Sequence, residues 1–396
     1  MSPSLRFPEF TGEWEKCKLG TLATKVGSGS TPKGGDAVYT SIGHYFVRSQ
    51  NVGMGFLMLD NIAHINDDIH QKHKATEIYE NDVLLNITGA SIGRTAVATK
   101  ELEGGNVNQH VCIIRTNSKV NPKFLCDYIQ TQRIQNHIKS LQTGGSREGL
   151  NFEQIRSFPI SLPSINEQNK LTCLLDKINE RIATQVRLID RLQSLIKGIN
   201  RTIFTGSGLE YSLCDVCEIR SGYSGNQLQG GKGLGVSRIE TISAHNINLE
   251  RIGYVAPFDA SENYRLQVGD ILFSNINSVE YIGNTAFIDK DYNLYHGMNL
   301  LRLIPFRNVV VPFYLYILLN TNRMLKHFKT ICNKAVSQAS INQKELGKTI
   351  VMLPSLEKQK QVCNIYQAMY SKLKTEKDVL SFYQEQKRYL LRHMFI

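Results

Sequence analysis

The sequence repeats itself at a spacing of about 190 residues, and this repeat limits the possible folds more than any other feature. Residues 121–125 (NPKFL) match residues 311–315 (VPFYL) at an offset of 190. Residues 160–164 (ISLPS) match residues 351–355 (VMLPS) at an offset of 191. Because the spacing is close to half of the 396 residues, the repeat predicts two similar modules, each followed by a similar segment.

A long amphipathic helix is predicted after each module. Apolar residues recur at alternating steps of four and three over residues 171–203, and adding 191 gives the same pattern over residues 362–394. The mean step of 3.5 residues is the coiled-coil period, so the two helices are predicted to pair. Polar residues occupy equivalent points, Gln185 and Glu376, where they either fix the register or lie at a solvated margin. The predicted seam comprises Leu175, Ile182, Gln185, Ile189, Leu192, Ile196, Tyr366, Leu373, Glu376, Leu380 and Leu390.

Each module is predicted to be an α+β domain. Short apolar runs are broken by Gly, Asn and Asp, and a helix follows near the end of each module, which is typical of mixed domains with few long helices. Between the matching segments the copies diverge, since residues 28–51 have no recognisable counterpart among residues 221–235. A shared scaffold with divergent loops favours two modules that bind different targets.

The loops carry side chains that are suited to DNA. Asn and Gln can read adenine, Arg can read guanine, and Ser or Lys can hold phosphate. Polar loops occur on any protein surface, so each residue alone is a weaker prediction than the set. The DNA-binding candidates are Lys33, Arg48, Gln50, Asn51, Ser91, Arg94, Gln109 and Arg147 in the first module, and Arg238, Asn246, Asn275, Asn277, Asn284, Lys334 and Gln338 in the second.

Charge and composition favour an anionic partner. The chain has 46 basic and 35 acidic residues, a net charge of +11, of which the two helical segments carry +3 and +4. The modules therefore keep only +4, so charge alone is a moderate signal for nucleic acid. The longest apolar run, residues 309–319, is too short to cross a bilayer, and no transmembrane helix is expected. Scattered cysteines and a polar N-terminal segment predict a cytoplasmic location.

A nucleophile-elbow motif is present but out of context. Residues 89–93 (GASIG) match G-x-S-x-G, which needs a strand that turns sharply into a helix. Residues 94–98 instead predict another strand, and Tyr281 replaces Ser91 in the second copy. A hydrolase that uses Ser91 is therefore a minor hypothesis, and a tight glycine turn explains the motif better.

Other motifs of cofactor and metal sites are incomplete. Residues 347–349 (GKT) lack the first glycine of a P-loop. The pairs Cys214-x-x-Cys217 and His70-x-x-His73 lack the further ligands of a zinc site. The sequence therefore predicts neither catalytic residues nor a metal or cofactor site in this chain.

The layout and several motifs resemble the specificity subunit of type I restriction-modification enzymes. The helix starts LPSINEQ (162–168) and LPSLEKQ (353–359) carry the resemblance, together with VRSQNV (47–52), TGASIG (88–93) and NQH (108–110). The similarity of layout covers essentially the whole chain.

The resemblance implies a non-catalytic subunit with two target recognition domains, each reading half of a bipartite DNA site. It further implies an antiparallel coiled coil as a spacer, a pseudo-two-fold repeat, two docked methyltransferase subunits and additional restriction subunits. S-adenosylmethionine, ATP and Mg would then belong to those partners. The recognition domains are predicted at residues 1–163 and 206–354, and the helices at 164–205 and 355–396. The alternative is a protein-binding adaptor with a coiled-coil arm, which salt-sensitive, sequence-dependent DNA binding would exclude.

Overall fold

The computed structural model divides the chain into two compact units. Unit 1 comprises Met1–Arg187 and Asp378–Ile396, and unit 2 comprises Leu188–Lys377. Both boundaries fall inside long helices. The structure describes residues 2–142, 149–203, 208–228, 231–242, 246–334 and 338–396.

Unit 1 contains the first module, called module 1 (residues 2–163), and parts of the long helices. The elements of module 1 in chain order are β1 (Glu15–Lys18), α1 (Leu19–Leu22), β2 (Ala23–Ser28), β3 (His44–Val47), β4 (Ala63–Ile65), α2 (Asp67–Lys72), β5 (Val83–Asn86), β6 (Thr95–Val97), β7 (Asn106–Val107), β8 (Val111–Thr116), α3 (Pro122–Gln130), α4 (Gln132–Ser140), α5 (Phe152–Arg156) and β9 (Pro159–Leu162). The first long helix, α6 (Ile165–Ile203), begins three residues after β9.

The main sheet of module 1 is antiparallel, with the strand order β2-β8-β5-β6. All four residues of β5 are buried, as expected of a central strand that is covered on both faces. A smaller sheet has the order β4-β3-β7, and β1 pairs with β9 to join the two ends of the module. The module therefore closes on itself immediately before α6.

Unit 2 contains the second module, called module 2 (residues 208–354). Its elements are β10 (Leu209–Ser212), α7 (Leu213–Val216), β11 (Cys217–Ser221), β12 (Leu234–Val236), β13 (Gly253–Val255), β14 (Ile271–Phe273), β15 (Ile276–Asn277), β16 (Thr285–Phe287), β17 (Leu301–Pro305), α8 (Pro312–Leu319), α9 (Asn322–Ile331), β18 (Asn333–Lys334), β19 (Ala339–Ser340), α10 (Gln343–Gly347) and β20 (Ile350–Leu353). The second long helix, α11 (Leu356–His393), begins three residues after β20.

Module 2 repeats the plan of module 1. Its main sheet has the order β11-β17-β14-β16, which corresponds strand by strand to β2-β8-β5-β6. The register also repeats, since Leu84 of β5 lies opposite Ala96 of β6, and Leu272 of β14 lies opposite Ala286 of β16. The strands β10 and β20 pair as β1 and β9 do. The predicted α+β fold with an internal repeat is confirmed.

The two long helices have 39 and 38 residues, so each extends for about 60 Å at 1.5 Å per residue. Within unit 1, the first turns of α6 share a buried cluster with the last turns of α11, including Leu171 and Leu175 of α6 and Leu390 of α11. Because the start of one helix packs against the end of the other, the helices are antiparallel, as predicted. The same cluster holds Phe395, which follows α11.

The predicted seam positions lie on the buried sides of the helices. Gln185 and Glu376 are only 8% and 7% exposed, so the interpretation that they lie at a solvated margin is wrong. Glu376 is paired with Lys372 on its own helix. Leu175, Ile189, Ile196, Tyr366, Leu373 and Leu390 are buried, whereas Ile182, Leu192 and Leu380 are half-buried.

The predicted domain limits fall near these element boundaries. The limit at residue 163 lies between β9 and α6, and the limit at residue 354 lies between β20 and α11. The predicted limit at 205–206 lies outside the described residues. Over the described part of the chain, every helix is either too short or too polar to cross a membrane.

Candidate nucleic-acid interface

Three loop segments meet at one end of the main sheet of module 1. In the antiparallel register Ser28 lies opposite Cys112, and Asn86 lies opposite Val111, so β2 and β5 end where β8 begins. The segments that continue from these strands, residues 29–33, 87–94 and 108–110, therefore come together. Backbone hydrogen bonds from Gly29 N to Asn108 O (3.2 Å) and from Ile87 N to His110 O (3.0 Å) join them. We call these three segments the loop end of module 1.

The loop end of module 1 contains four of the predicted DNA-binding residues. Lys33, Arg94 and Gln109 are exposed, and Ser91 is half-buried. Residues from three segments that are distant in the sequence are thus brought to one end of the main sheet. Arg147, also predicted to bind DNA, lies outside the described residues.

A side-chain network links the segments of the loop end. Thr31 N donates to Gln109 Oε1 at 2.8 Å, and Gln109 Nε2 lies 3.2 Å from His110 Nε2. On the other side of the imidazole, His110 Nδ1 lies 2.6 Å from Thr88 Oγ1. Gln109 was selected from the sequence, but Thr88 and His110 were not, although both lie in motifs that carry the family resemblance.

Arg48, Gln50 and Asn51 follow β3 and differ in exposure. Gln50 is exposed, and the Arg48 guanidinium lies 5.4 Å from the centre of the Tyr39 ring. Asn51 is only 2% exposed. Its Oδ1 accepts from Arg48 N at 3.0 Å, and its Nδ2 donates to Met58 O at 2.9 Å. The environment of Asn51 therefore argues against the predicted DNA contact, because the amide that would contact a base already makes two hydrogen bonds within its own loop.

Asn86, the last residue of β5, is a further structural amide that sequence reasoning missed. It is fully buried, and its Nδ2 donates to Ser49 O at 2.8 Å. This bond holds the segment containing Arg48 and Gln50 against the main sheet. A polar residue that ends an otherwise apolar strand was the available signal.

Candidate amides of module 2 also stabilise loops. Asn275 Nδ2 donates to Ile341 O at 3.4 Å. Asn277 Nδ2 donates to Ser274 Oγ at 3.1 Å, while its Oδ1 accepts from Ser278 N at 2.8 Å. Both residues and Asn284 are half-buried, so they stand at the surface with part of their hydrogen-bonding capacity already used.

Two candidate segments of module 2 are brought together by a small sheet. The strand order β15-β19-β18 places Asn277 of β15 opposite Ala339 of β19, which also faces Lys334 of β18. Lys334 and Gln338 are exposed. This arrangement collects cationic and amide side chains from segments that are 60 residues apart in the sequence.

Arg238 and Asn246 are exposed candidates outside that small sheet. Arg238 Nε lies 3.7 Å from a carboxylate oxygen of Glu240, and both side chains are about half exposed. A phosphate that binds Arg238 would therefore compete with Glu240. Asn246 lies beside Ile247 and Phe287 at the rim of an open cavity of about 700 Å³.

The structure argues against catalysis by Ser91. Residues Gly89–Ser91 form one turn of 3₁₀ helix between β5 and the antiparallel strand β6, with Gly89 and Gly93 at φ +67° and +84°. A nucleophile elbow needs an α-helix after the turn, so the tight glycine turn is the correct interpretation.

The paired cysteines and histidines have structural environments. Cys217 is buried, whereas Cys214 is exposed. His70 is buried, with Nδ1 2.7 Å from Asn106 Oδ1, and its ring stacks on that of His44. In the described parts of the chain, no group of three or more His, Cys, Asp or Glu side chains is placed to hold a metal ion.

A duplicated α+β module with polar loops and an antiparallel helix pair defines a class of two-module specificity proteins, and sequence comparison identifies the family. The family model described as "Type I restriction modification DNA specificity domain" matches residues 11–194 and, a second time, residues 209–381. The chain belongs to this family, and it is a specificity subunit with two target recognition domains.

Two curated relatives are similar over part of the chain. The putative type I restriction enzyme MjaX specificity subunit of Methanocaldococcus jannaschii is 38% identical over 187 residues, 46% of this chain and 44% of the relative. The type I restriction enzyme EcoBI specificity subunit of Escherichia coli is 24% identical over 167 residues, 40% of this chain and 34% of the relative. The matched region thus spans less than half the length of either relative.

Solved structures share the fold along the whole chain. The S subunit of a type I restriction-modification system from M. genitalium superposes with a TM-score of 0.63 at 17% identity, covering 100% of this chain and 99% of that one. A chain from a structural study of assembly and conformational transition in the type I R-M system gives a TM-score of 0.60 at 18% identity, with 97% of both chains covered. At these identities the similarity establishes the fold alone.

Proposed function

We propose that the chain is the sequence-specific DNA-recognition subunit of a type I restriction-modification complex, and that each module reads one half of a bipartite DNA site. The observation that carries the proposal is the repeated main sheet, which presents loops of different sequence on the same scaffold in the two modules. Similar scaffolds with different loops suit the reading of two different half-sites. Exposed Lys33, Arg94, Lys334 and Arg238 supply cations for phosphate, and Gln50, Gln109 and Gln338 supply amides for base edges.

The long helices are assigned two tasks in this proposal. As a spacer, a helix pair of about 60 Å sets the gap between the two half-sites. As a docking surface, it binds two methyltransferase subunits, and restriction subunits join the complex. Apolar side chains seven residues apart support docking, namely Leu188 and Leu195 on α6 and Phe382 and Tyr389 on α11. These four side chains are 37–67% exposed, so the antiparallel pairing leaves apolar surface for a partner.

Catalysis is assigned to the partner subunits. The methyltransferase subunits would bind S-adenosylmethionine, and the restriction subunits would use ATP and Mg. This chain supplies recognition and assembly, and the complex acts in the cytoplasm.

The experiment that tests the proposal is to map the methylated adenines. The chain is co-expressed with the methyltransferase subunit proposed as its partner, and genomic DNA is read by single-molecule sequencing. The proposal predicts a split motif with a fixed gap. A stable complex that produces no such motif would contradict DNA recognition and favour the adaptor.

A module exchange tests the assignment of half-sites. Replacement of residues 211–349 by the corresponding module of another specificity subunit is expected to change one half of the motif and leave the other half unaltered. A change in both halves would show that the modules do not read DNA independently.

A further inference from the structure

The side-chain network at the loop end of module 1 determines where its protons lie. The backbone amide of Thr31 can only donate, so the oxygen of the Gln109 amide faces Thr31 and its NH₂ group faces the imidazole of His110. Nε2 of His110 must then accept. The ring proton of the neutral imidazole is therefore on Nδ1, from which it donates to Thr88 Oγ1.

An imidazolium is incompatible with this arrangement. Protonated His110 would carry N–H groups on both ring nitrogens, and the N–H on Nε2 would point at the NH₂ group of Gln109. Rotation of the Gln109 amide would relieve that conflict, but it would turn NH₂ toward the donating amide of Thr31. Either way one connection between the loop segments is lost.

We propose that Gln109 and His110 are positioning residues for DNA recognition by module 1, holding segments 29–33 and 87–94 in place while His110 is neutral. The inference rests on the proposed function, because those segments carry Lys33, Ser91 and Arg94. Gln109 and His110 act through the loops that they join, whether or not Gln109 also contacts DNA.

The loop segments around His110 and the hydrogen-bond partners of its ring determine which charged groups lie near it. The loop segments that contact it carry Lys33 and Arg94, and both are exposed cations. Within the described residues, the hydrogen-bond partners of the ring are the Thr88 hydroxyl and the Gln109 amide, neither of which is a carboxylate. DNA bound at these loops would add negative charge, which is one reason to measure the pH dependence on the complex with DNA.

Module 2 provides an internal control because it lacks this network. His110 immediately precedes β8, whereas the residue that immediately precedes the equivalent strand β17 is Leu300. The two residues before Leu300 are Met298 and Asn299, with Asn299 at φ +64°. The imidazole at this turn, His296, is buried, and its Nε2 donates to Leu300 O at 3.0 Å. Burial lowers the pKa of His296 to about 4, so this ring stays neutral at pH 5.5, and any pH dependence that originates in His110 should affect one half-site only.

The test uses the full chain in complex with its methyltransferase and DNA duplexes that carry the mapped site. Duplexes altered in one half-site give, by competition, the selectivity for that half. Lowering the pH from about 8 to about 5.5 is expected to reduce selectivity for the module 1 half by about tenfold, the effect of one lost hydrogen bond with an unsatisfied donor. Selectivity for the module 2 half should remain unchanged.

A variant that cannot be protonated separates positioning from a general structural role. His110→Asn keeps a donor near Thr88 but has no imidazole, so its selectivity for the module 1 half should be the same at pH 8 and pH 5.5. The melting curve of this variant checks that module 1 remains folded.

The outcomes distinguish this inference from the proposed function. Failure to find a bipartite motif would overturn both. A bipartite motif whose two halves respond equally to pH, or a His110→Asn variant with the parental pH profile, would overturn the positioning role and leave the proposed function intact.

Discussion

At the level of single residues, each module holds an arginine–aspartate pair beside its central strand: Arg115–Asp82 in module 1, with the arginine partly exposed, and Arg302–Asp270 in module 2, with both side chains buried. Asp82 and Asp270 immediately precede the equivalent strands β5 and β14, and each accepts a hydrogen bond from the backbone amide three residues earlier. Arg302 Nη2 lies 2.7 Å from Asp270 Oδ2, and both side chains are at most 5% exposed. Burial raises the pKa of Asp270, although the Gln267 amide and Arg302 both lower it.

The buried pair of module 2 gives a stability prediction. Asp270→Ala leaves the Arg302 guanidinium buried without its carboxylate, so we expect a loss of about 3–5 kcal/mol in the free energy of unfolding of unit 2. Calorimetry of the purified chain measures the loss. Glu345→Ala is the matched control, because it removes the exposed partner of Lys348 and should leave the melting curve unchanged. Equal melting temperatures for Asp270→Ala and Glu345→Ala would show that the buried Asp270–Arg302 pair does not stabilise unit 2.

A buried carboxylate at the end of α3 predicts a pH dependence of stability. Burial raises the pKa of Asp127 to about 7, although the nearby charge of Lys387 lowers it. Gln130 connects the two groups, with Nε2 3.2 Å from Asp127 Oδ1 and Oε1 3.0 Å from Lys387 Nζ. The folded protein therefore binds a proton that the unfolded chain releases near pH 4.

The sign follows from this difference in proton binding. Between about pH 4 and about 7 the folded state holds more protons at Asp127, so stability should decrease as the pH rises through that range and level off above it. Asp127→Asn should remove this slope and raise the melting temperature of unit 1 at pH 8. Thermal melts of parent and variant at several pH values measure the slope. Parallel pH profiles would show that Asp127 does not titrate in this range.

At the level of elements, the helix seam separates equally apolar residues into buried and exposed positions. Ile189 of α6 is 7% exposed, whereas Leu195, six residues later on the same helix, is 55% exposed. Residues of the two kinds cannot be distinguished by composition, but their positions in the heptad pattern distinguish them.

This difference predicts the outcome of matched substitutions. Ile189→Asp places a carboxylate in the seam and should destabilise unit 2 by about 3 kcal/mol or more. Leu380 belongs to unit 1 and is half-buried, so Leu380→Asp should destabilise unit 1 by a smaller amount. Leu195→Asp is the control and should leave the thermal unfolding curve almost unchanged. Circular dichroism at 222 nm during heating provides the measurement. Equal curves for Ile189→Asp and Leu195→Asp would exclude the predicted seam.

Local patterns explain why the elements could be predicted. The 3.5-residue period of α6 and α11 and the repeated segments around Pro122 and Pro312 are visible without any tertiary information. The burial of Asn51 was not predictable, because a polar residue within the sequence VRSQNV indicates an exposed loop. The hydrogen bond from Asn51 Nδ2 to Met58 O is visible only in the folded structure. The Thr88–His110 contact likewise joins residues 22 positions apart across two strands.

At the level of the whole molecule, the proposed spacer role predicts that helix length controls the gap in the DNA site. Insertion of one heptad after Arg187 in α6 and another after Lys377 in α11, where the two compact units divide, preserves the seam period. Seven residues add about 10 Å, so the gap in the motif should grow by about three base pairs at about 3.4 Å each. Methylation mapping of the variant measures the gap.

The controls for the insertion use the same mapping. A heptad inserted in α6 alone should mismatch the paired helices and abolish methylation at split motifs. A double-insertion variant that still methylates sites with the parental gap would contradict the spacer role.

The burial of the last residues of the chain in unit 1 affects biosynthesis. Leu390 and Phe395 lie in the same core as Trp14 and Phe124, although translation reaches residue 395 more than 230 positions after residue 162, where β9 ends. Because translation proceeds at roughly 5–20 residues per second, the nascent module 1 lacks these side chains for about ten to fifty seconds. During that interval the aromatic surface beneath them is open to chaperones, and a ribosome that stalls within α11 leaves module 1 without part of its core.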